Sequence, residues 1–224
     1  MTVATALAAV QQRIERAAAA CGRDPASVRL VAVSKTKPPQ MVREAYAAGQ
    51  RAFGENYAQE LEAKAQALAD LPDIEWHFIG HLQTNKAKIV ARSAHVVHSV
   101  DGEALARELG RRARTAGRTI PVMIEVNVGG EPQKHGAEPG EIEQVARASE
   151  AEPALVLRGL MTMPPDDLEA ARRAFETLAS LRSLHGGAAR LADLSMGMSG
   201  DLEVAIAAGA TIVRVGTAIF GARG

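Results

Sequence analysis

Lys35 is the residue in this sequence that most needs a chemical explanation. It follows an apolar run, Leu30-Val-Ala-Val33, and opens the segment Ser34-Lys35-Thr36-Lys37-Pro38. Val31, Val33 and Lys35 alternate, so on a strand the stem of Lys35 starts against a packed wall. Lysine is rarely fully buried without a partner, and partial desolvation disfavours its ammonium form. The pKa then falls, and a neutral amine becomes available to attack an aldehyde. The other lysines are 37, 64, 86, 88 and 134. Lys64 reads as part of a solvated helix, and Lys86 and Lys88 follow a strand by several residues. The competing reading of Lys35 is a solvent-exposed lysine at a strand end.

A second constellation has the composition of a phosphate cradle. Met196-Gly-Met-Ser199-Gly200-Asp201 precedes a helical stretch with Leu202, Ala205 and Ile206, and Arg214-Val-Gly216-Thr217 ends the last apolar run. Glycines let the backbone approach an anion closely, hydroxyls add donors, and a helix start adds amides. The plainer alternatives are Ser199 as a helix cap and Gly216 as a turn. A matched pair of loops favours phosphate. Asp201 would repel a phosphate if it pointed inward, so it is expected to face away. No GxxxxGK[ST] and no strand-borne GxGxxG is present, which leaves a nucleotide loop unsupported. His77 and His81 straddle a strand end, and His95 and His98 point to opposite faces of one strand. Both pairs read as structural, and no metal site is expected.

The elements that must bring these residues together follow a repeated unit: a short apolar run, a small or polar motif, then a helical stretch. The runs are Leu30–Val33, Arg51–Phe53, Glu75–Ile79, His95–Val100, Ile120–Val128, Leu155–Met161, Leu191–Met196 and Thr211–Val215. Continuous apolar runs suit strands buried on both faces, and the segments between them show apolar spacings of three and four. Eight such units give a closed barrel or an open doubly wound sheet. Polar residues sit at the end of nearly every run instead of at one switch point, which favours the barrel. Those residues are Lys35, Asn56, His81 with Gln83, Ser99 with Asp101, Asn127, Met161 with Thr162, Ser199, and Arg214 with Thr217. The fold expected is α/β, a single (β/α)8 TIM barrel over residues 1–224, with an additional N-terminal helix, roughly Val3 to Ala20. A barrel of this kind runs to ~250 residues and tolerates ~200, so 224 leaves little room for insertions.

Composition narrows the function. Lys plus Arg and Asp plus Glu both number 26, with no basic stripe, which argues against nucleic acid. No run approaches the ~20 apolar residues of a membrane span, and polar residues interrupt the N-terminal stretch, so neither a membrane segment nor a signal peptide is expected. One cysteine, Cys21, excludes an internal disulfide framework and points to the cytoplasm.

Seven motifs, in order along almost the whole chain, resemble those of the pyridoxal phosphate homeostasis proteins, also called proline synthase co-transcribed homologues. They are Val31-Ala-Val-Ser-Lys-Thr-Lys-Pro38, Phe53-Gly-Glu-Asn-Tyr57, Trp76-His-Phe-Ile-Gly-His-Leu-Gln-Thr-Asn-Lys86, His98-Ser-Val-Asp101, Gly159-Leu-Met-Thr162, Ser195-Met-Gly-Met-Ser-Gly-Asp201 and Val213-Arg-Val-Gly-Thr-Ala-Ile-Phe-Gly221. The one departure is a short tail after the last motif. The resemblance implies a barrel like the N-terminal domain of alanine racemase, with pyridoxal 5′-phosphate (PLP) held as a Schiff base on Lys35. It implies phosphate binding by Ser199, Gly200, Gly216 and Thr217, Arg214 facing the pyridine nitrogen, and Asn56 near the ring. It further implies a PLP carrier or regulator of vitamin B6 and amino-acid homeostasis, with no catalytic residue, with PLP-dependent apo-enzymes as recipients, and as a monomer. Two alternatives stand beside it: a small PLP-dependent amino-acid racemase using Lys35 as base, and a phosphate-binding barrel without PLP. Against the racemase, a second proton-transfer residue is not evident, and the sequence ends with the barrel.

Overall fold

The computed structural model describes residues 2–131 and 135–222. Eight parallel strands close in chain order: β1 (Arg29–Val33), β2 (Ala52–Glu55), β3 (Glu75–Phe78), β4 (Val96–Val100), β5 (Ile120–Glu125), β6 (Leu155–Met161), β7 (Asp193–Ser195) and β8 (Ile212–Val215). β1 pairs with β8 to shut the barrel, with Val31 opposite Arg214. The helices are α1 (Val3–Ala20), α2 (Pro39–Ala47), α3 (Ala58–Ala67), α4 (Ala87–Ser93), α5 (Glu103–Thr115), α6 (Ile142–Glu150), α7 (Leu168–Leu184), α8 (Gly187–Arg190), α9 (Leu202–Ala207) and α10 (Thr217–Phe220). The (β/α)8 architecture and the helix ahead of the first strand are those expected from the sequence.

Side-chain alternation divides the core into two shells. Val31, Ala52, Val96, Met123, Met161 and Ile212 form one buried cluster inside the barrel. Ala32, Phe53, Val97, Val122, Ile124, Leu160 and Val213 belong to the larger cluster between strands and helices. Residues two along from the interior set therefore point inward near the mouth: Val33, His98, Glu125 and Arg214.

α1 starts at Thr2, whose hydroxyl accepts from the Thr5 amide at 3.2 Å, and it buries Val3, Leu7, Val10, Ile14 and Ala17 at helical spacing. It packs on α2, α9 and α10. From there Arg13 donates to Glu203 on α9 and to the Ser199 carbonyl at 3.0 Å, so α1 braces one candidate loop from outside.

The fifth run is shorter as a strand than the sequence suggests. After Glu125 the chain pairs with its own return: the Asn127 amide donates to Ala137 and the Ala137 amide to Glu125. Val126–Val128 therefore belong to the loop above β5. Among the described residues no helix is long and apolar enough to cross a membrane.

Candidate functional site

A cavity of about 250 Å³ opens at the C-terminal mouth of the barrel. Its wall contains all seven candidate residues, Lys35, Asn56, Ser199, Gly200, Arg214, Gly216 and Thr217, with Val33, Ile79, Met163 and Met198 as the apolar part. The seven arrive from β8 and from the segments that follow β1, β2, β7 and β8. The Asn56 amide oxygen is buried with no hydrogen-bond partner in the protein. Buried polar atoms are almost always paired, so an orphan acceptor on a cavity wall marks a group that a ligand completes. Asn56 owes its position to Gly80, where a Cβ would lie 2.3 Å from the Asn56 carbonyl oxygen.

The two glycine loops face each other across this cavity. Gly197 has φ +94°, and a Cβ there would meet the Ala205 Cβ at 2.5 Å, so only glycine turns the chain from β7 into this loop. Ser199 Oγ accepts from the Ala218 amide at 3.3 Å, which ties the loops together and leaves its O–H to donate. α10 begins at Thr217, so first-turn amides lack intrahelical acceptors. Asp201 is absent from the cavity wall. Its Oδ1 accepts from the Met198 amide at 2.5 Å, closing the turn on itself, as repulsion of an anion requires.

Arg214 is 2 % exposed and fixed on three sides. Nη1 donates to Ser195 Oγ at 2.7 Å, and Nη2 donates to the Thr162 carbonyl at 2.9 Å and meets Met163 Sδ at 3.2 Å. Burial pulls its pKa down to about 10, with Glu125 and Asp201 opposing, so it stays charged at neutral pH. Below it a polar line descends through the barrel. Ser195 Oγ lies 2.8 Å from His98 Nδ1, and His98 Nε2 lies 2.8 Å from His77 Nδ1. His77 Nε2 is 3.0 Å from Glu75 Oε1, close in distance but off the direction of a straight hydrogen bond. Burial lowers both histidine pKa values, so both rings are neutral at pH 7. One proton arrangement satisfies the line: Arg214 donates to Ser195, Ser195 to His98 and His98 to His77, whose remaining N–H faces the Glu75 carboxylate. The tautomers are assigned from the network. Reading His77 and His98 as structural thus captures their neutrality and misses their link to Arg214.

Lys35 sits in a turn built by other elements. Thr36 has φ +63°, a left-handed conformation that a β-branched residue adopts only under constraint. The constraint is Glu60 on α3, whose Oε1 accepts from the Thr36 amide at 2.6 Å. Glu60 also pairs with Lys64 at 2.7 Å, and Lys64 Nζ reaches Glu55 Oε1 at 2.7 Å and the Ser34 carbonyl at 2.5 Å. Ser34 Oγ donates to Glu55 at 2.6 Å. Burial pushes the Glu55 carboxyl up, against the pull of Lys64. The placement of Lys64 on a solvated helix is therefore wrong: it is 3 % exposed, because α3 turns it toward Glu55 and the β1 turn.

Other strand-end residues do not reach this cavity. Ser99 is fully buried, Thr162 Oγ1 donates to the Val126 carbonyl, and Asn127 is spent on its own loop, pairing with the Glu131 backbone. His81 pairs with Asp101 at 3.2 Å and stacks on His135, centroids 3.6 Å apart and planes 9° apart. Donor atoms of this trio lie within 4.8 Å of one another. Stacked rings, however, direct their in-plane lone pairs side by side and not at one point, so the trio lacks the convergence a metal ion needs. One residue escaped the sequence reading altogether. Glu125, two residues beyond the inward Met123, is 6 % exposed, and burial raises its pKa to about 7. Strand alternation was the signal that could have found it.

Comparison with known proteins follows the same lines. The family model described as alanine racemase, N-terminal domain, matches residues 5–224. The pyridoxal phosphate homeostasis protein of Pseudomonas aeruginosa is 49% identical over 225 residues, covering 99% of this chain and 96% of its own. The protein of the same name from Escherichia coli is 42% identical, covering 99% and 97%. PipY of Synechococcus elongatus, solved with PLP bound, superposes with a TM-score of 0.81 at 38% identity, covering 98% of this chain and 100% of that one. Alanine racemase of Streptomyces coelicolor shares the fold, with a TM-score of 0.74 at 22% identity, and this chain spans 58% of it.

Proposed function

This chain belongs to the pyridoxal phosphate homeostasis protein family, through an alanine racemase N-terminal domain, and on that premise we propose that it binds PLP at the barrel mouth, attached through Lys35, as a carrier and not a catalyst. The observation that carries this reading is the meeting, on one cavity wall, of a strand-end lysine, two hydroxyl-bearing glycine loops and an orphan acceptor. When bound, PLP supplies an electrophilic carbon for primary amines and a ring that stores electrons best with its nitrogen protonated.

The protein's own residues would divide the work. Ser199, Gly200, Gly216 and Thr217 hold the phosphate with hydroxyl and backbone donors. Asn56 Oδ1 takes a donor near the ring. Lys35 supplies the amine. Arg214, charged and able only to donate, would face the ring nitrogen and keep it unprotonated, which would weaken the electron sink. That chemistry suits retention and hand-over to apo-enzymes in the cytoplasm. One observation favours a second reading, a small amino-acid racemase: Glu125 is a buried carboxyl in the adjoining cavity, a second group able to exchange protons.

The test is spectroscopic and covalent. The purified protein should be yellow, and borohydride should fix PLP to the peptide carrying Lys35. Lys35→Ala should abolish both. Label found mainly on Lys37 would overturn the assignment, and a colourless protein that still binds phosphate would remove PLP from it. Incubation with L- and D-alanine and chiral chromatography separates carrier from racemase: turnover well above free PLP, lost in Lys35→Ala, selects the racemase.

A further inference from the structure

Next to the cofactor pocket lies a second cavity of about 470 Å³, sharing Asn56, Ile79, Met163 and Met198 with it. Glu125 lines this second chamber. Its side chain is more than nine-tenths buried, and its Oε2 has no hydrogen-bond partner in the protein. A buried carboxyl oxygen on a cavity wall with no donor in the protein is a group that a ligand can complete.

Among the described residues around it, carboxylates outnumber arginine and lysine side chains, though Asp101 also faces His81 at 3.2 Å. The titratable and charged groups facing Glu125 are Asp101 after β4, His81 after β3, Glu131 and His135 above β5, Asp166 after β6, and Arg214 on β8. Three of these are carboxylates. Arg214 opposes them, with Nη1 and Nη2 holding Ser195, Thr162 and Met163. Asp101 pushes the Glu125 carboxyl up beyond the effect of burial alone, to about 7. A group at that value exchanges protons at physiological pH, and a small cation carrying hydrogen-bond donors suits a carboxyl whose buried oxygen has no donor.

Given the proposed PLP at Lys35, on which this rests, the cation of interest is the one PLP reacts with. We propose that the chamber binds a primary ammonium group, with Glu125 as its counter-ion and proton acceptor. The proton moves from the ammonium nitrogen to Glu125 Oε2, leaving a neutral carboxyl and a neutral amine whose lone pair is free for the adjoining pocket. No electrons are exchanged and no co-reactant is needed. Ile79, Met163 and Met198 make the wall common to both cavities mostly apolar, with Asn56 its polar member, so the neutral amine crosses at lower cost than the ammonium.

The test uses the full chain, with and without PLP, and reads binding instead of turnover. Ethylamine and L-alanine are the two ammonium probes, one without and one with a carboxylate; ethanol and propionate are the neutral and anionic controls. Calorimetry or protein NMR should show at least one ammonium probe binding the PLP-free chain while the controls do not. Affinity should rise as pH increases through about 7, and binding at pH 7 should release a fraction of a proton, read from the dependence of heat on the buffer. Glu125→Gln should weaken binding ten-fold or more and remove both effects. Glu125→Asp, which retracts the carboxylate by one methylene, should bind weakly and keep the pH dependence. Unchanged binding in Glu125→Gln, or no ammonium binding by a chain that still turns yellow with PLP, overturns this inference and leaves the proposed function standing. Ammonium binding by a chain that never takes up PLP does the reverse.

Discussion

Ser199 and Thr217 are the single residues at which the proposed retention of PLP can be tested. Each offers one hydroxyl to the proposed phosphate, and Ser199 keeps its O–H available by accepting from Ala218. A hydrogen bond to a charged group contributes about 1.5–3 kcal/mol. Ser199→Ala or Thr217→Ala should therefore weaken PLP retention by about ten-fold or more, since ~1.4 kcal/mol is a factor of ten. Fluorescence or absorbance titration checks this, with pyridoxal as control: lacking the phosphate, it should bind poorly and be indifferent to both changes. Equal losses for the two ligands would assign the effect to damage of the fold. These two residues were legible because glycines and hydroxyls crowd together locally in sequence. Glu125 was harder to find, since its neighbours Asp101 and Arg214 come from other strands and only closure of the barrel makes it an interior residue.

The turn Ser34-Lys35-Thr36 is an element whose shape is imposed from outside. Left-handed Thr36 stores strain on the order of 1–2 kcal/mol, and Glu60 and Lys64 hold it in place. Removing one member of a buried ion pair leaves the other charged and unpaired, at a cost of about 3–5 kcal/mol. Lys64→Met should thus destabilise the chain by that order in urea unfolding and slow borohydride trapping at Lys35. Adding Glu55→Gln should restore most of the stability, because the carboxylate that remains, Glu60, is partly exposed to water and keeps the Thr36 amide. Additive losses would show that Lys64 and Glu55 are not coupled. The strands and helices themselves were legible from periodicity. This clamp was not, because Lys64 meets partners 4, 9 and 30 residues away, and its position on α3 looks like any solvated helix face until β2 and the β1 turn pack against it.

Across the whole molecule, the barrel interior separates charge along its axis. Glu75 lies at one end, its carboxyl held at about 2 by His77 and Arg29, while Arg214 and Glu125 lie toward the mouth, joined to it by neutral Ser195, His98 and His77. Such an interior makes stability depend on pH, and the groups pull in opposite directions. Glu125 titrates near 4.3 when unfolded and at about 7 when folded. Between those values the folded chain holds a proton that the unfolded chain has released, so the Glu125 contribution falls as pH rises through that window. His77 and His98, lowered by burial, act the other way: the unfolded chain binds protons below about 6.5, so their contribution grows as pH rises toward that value. The wild-type curve alone therefore mixes two slopes, and comparison with Glu125→Gln isolates one. Glutamine cannot ionise, so the variant should gain on wild type progressively between about pH 4 and about pH 8, by about 4 kcal/mol in total. Urea unfolding of both proteins across that range measures the difference directly. Parallel curves would mean that Glu125 is hydrated or paired in solution, and with that its isolation in the barrel mouth would be refuted.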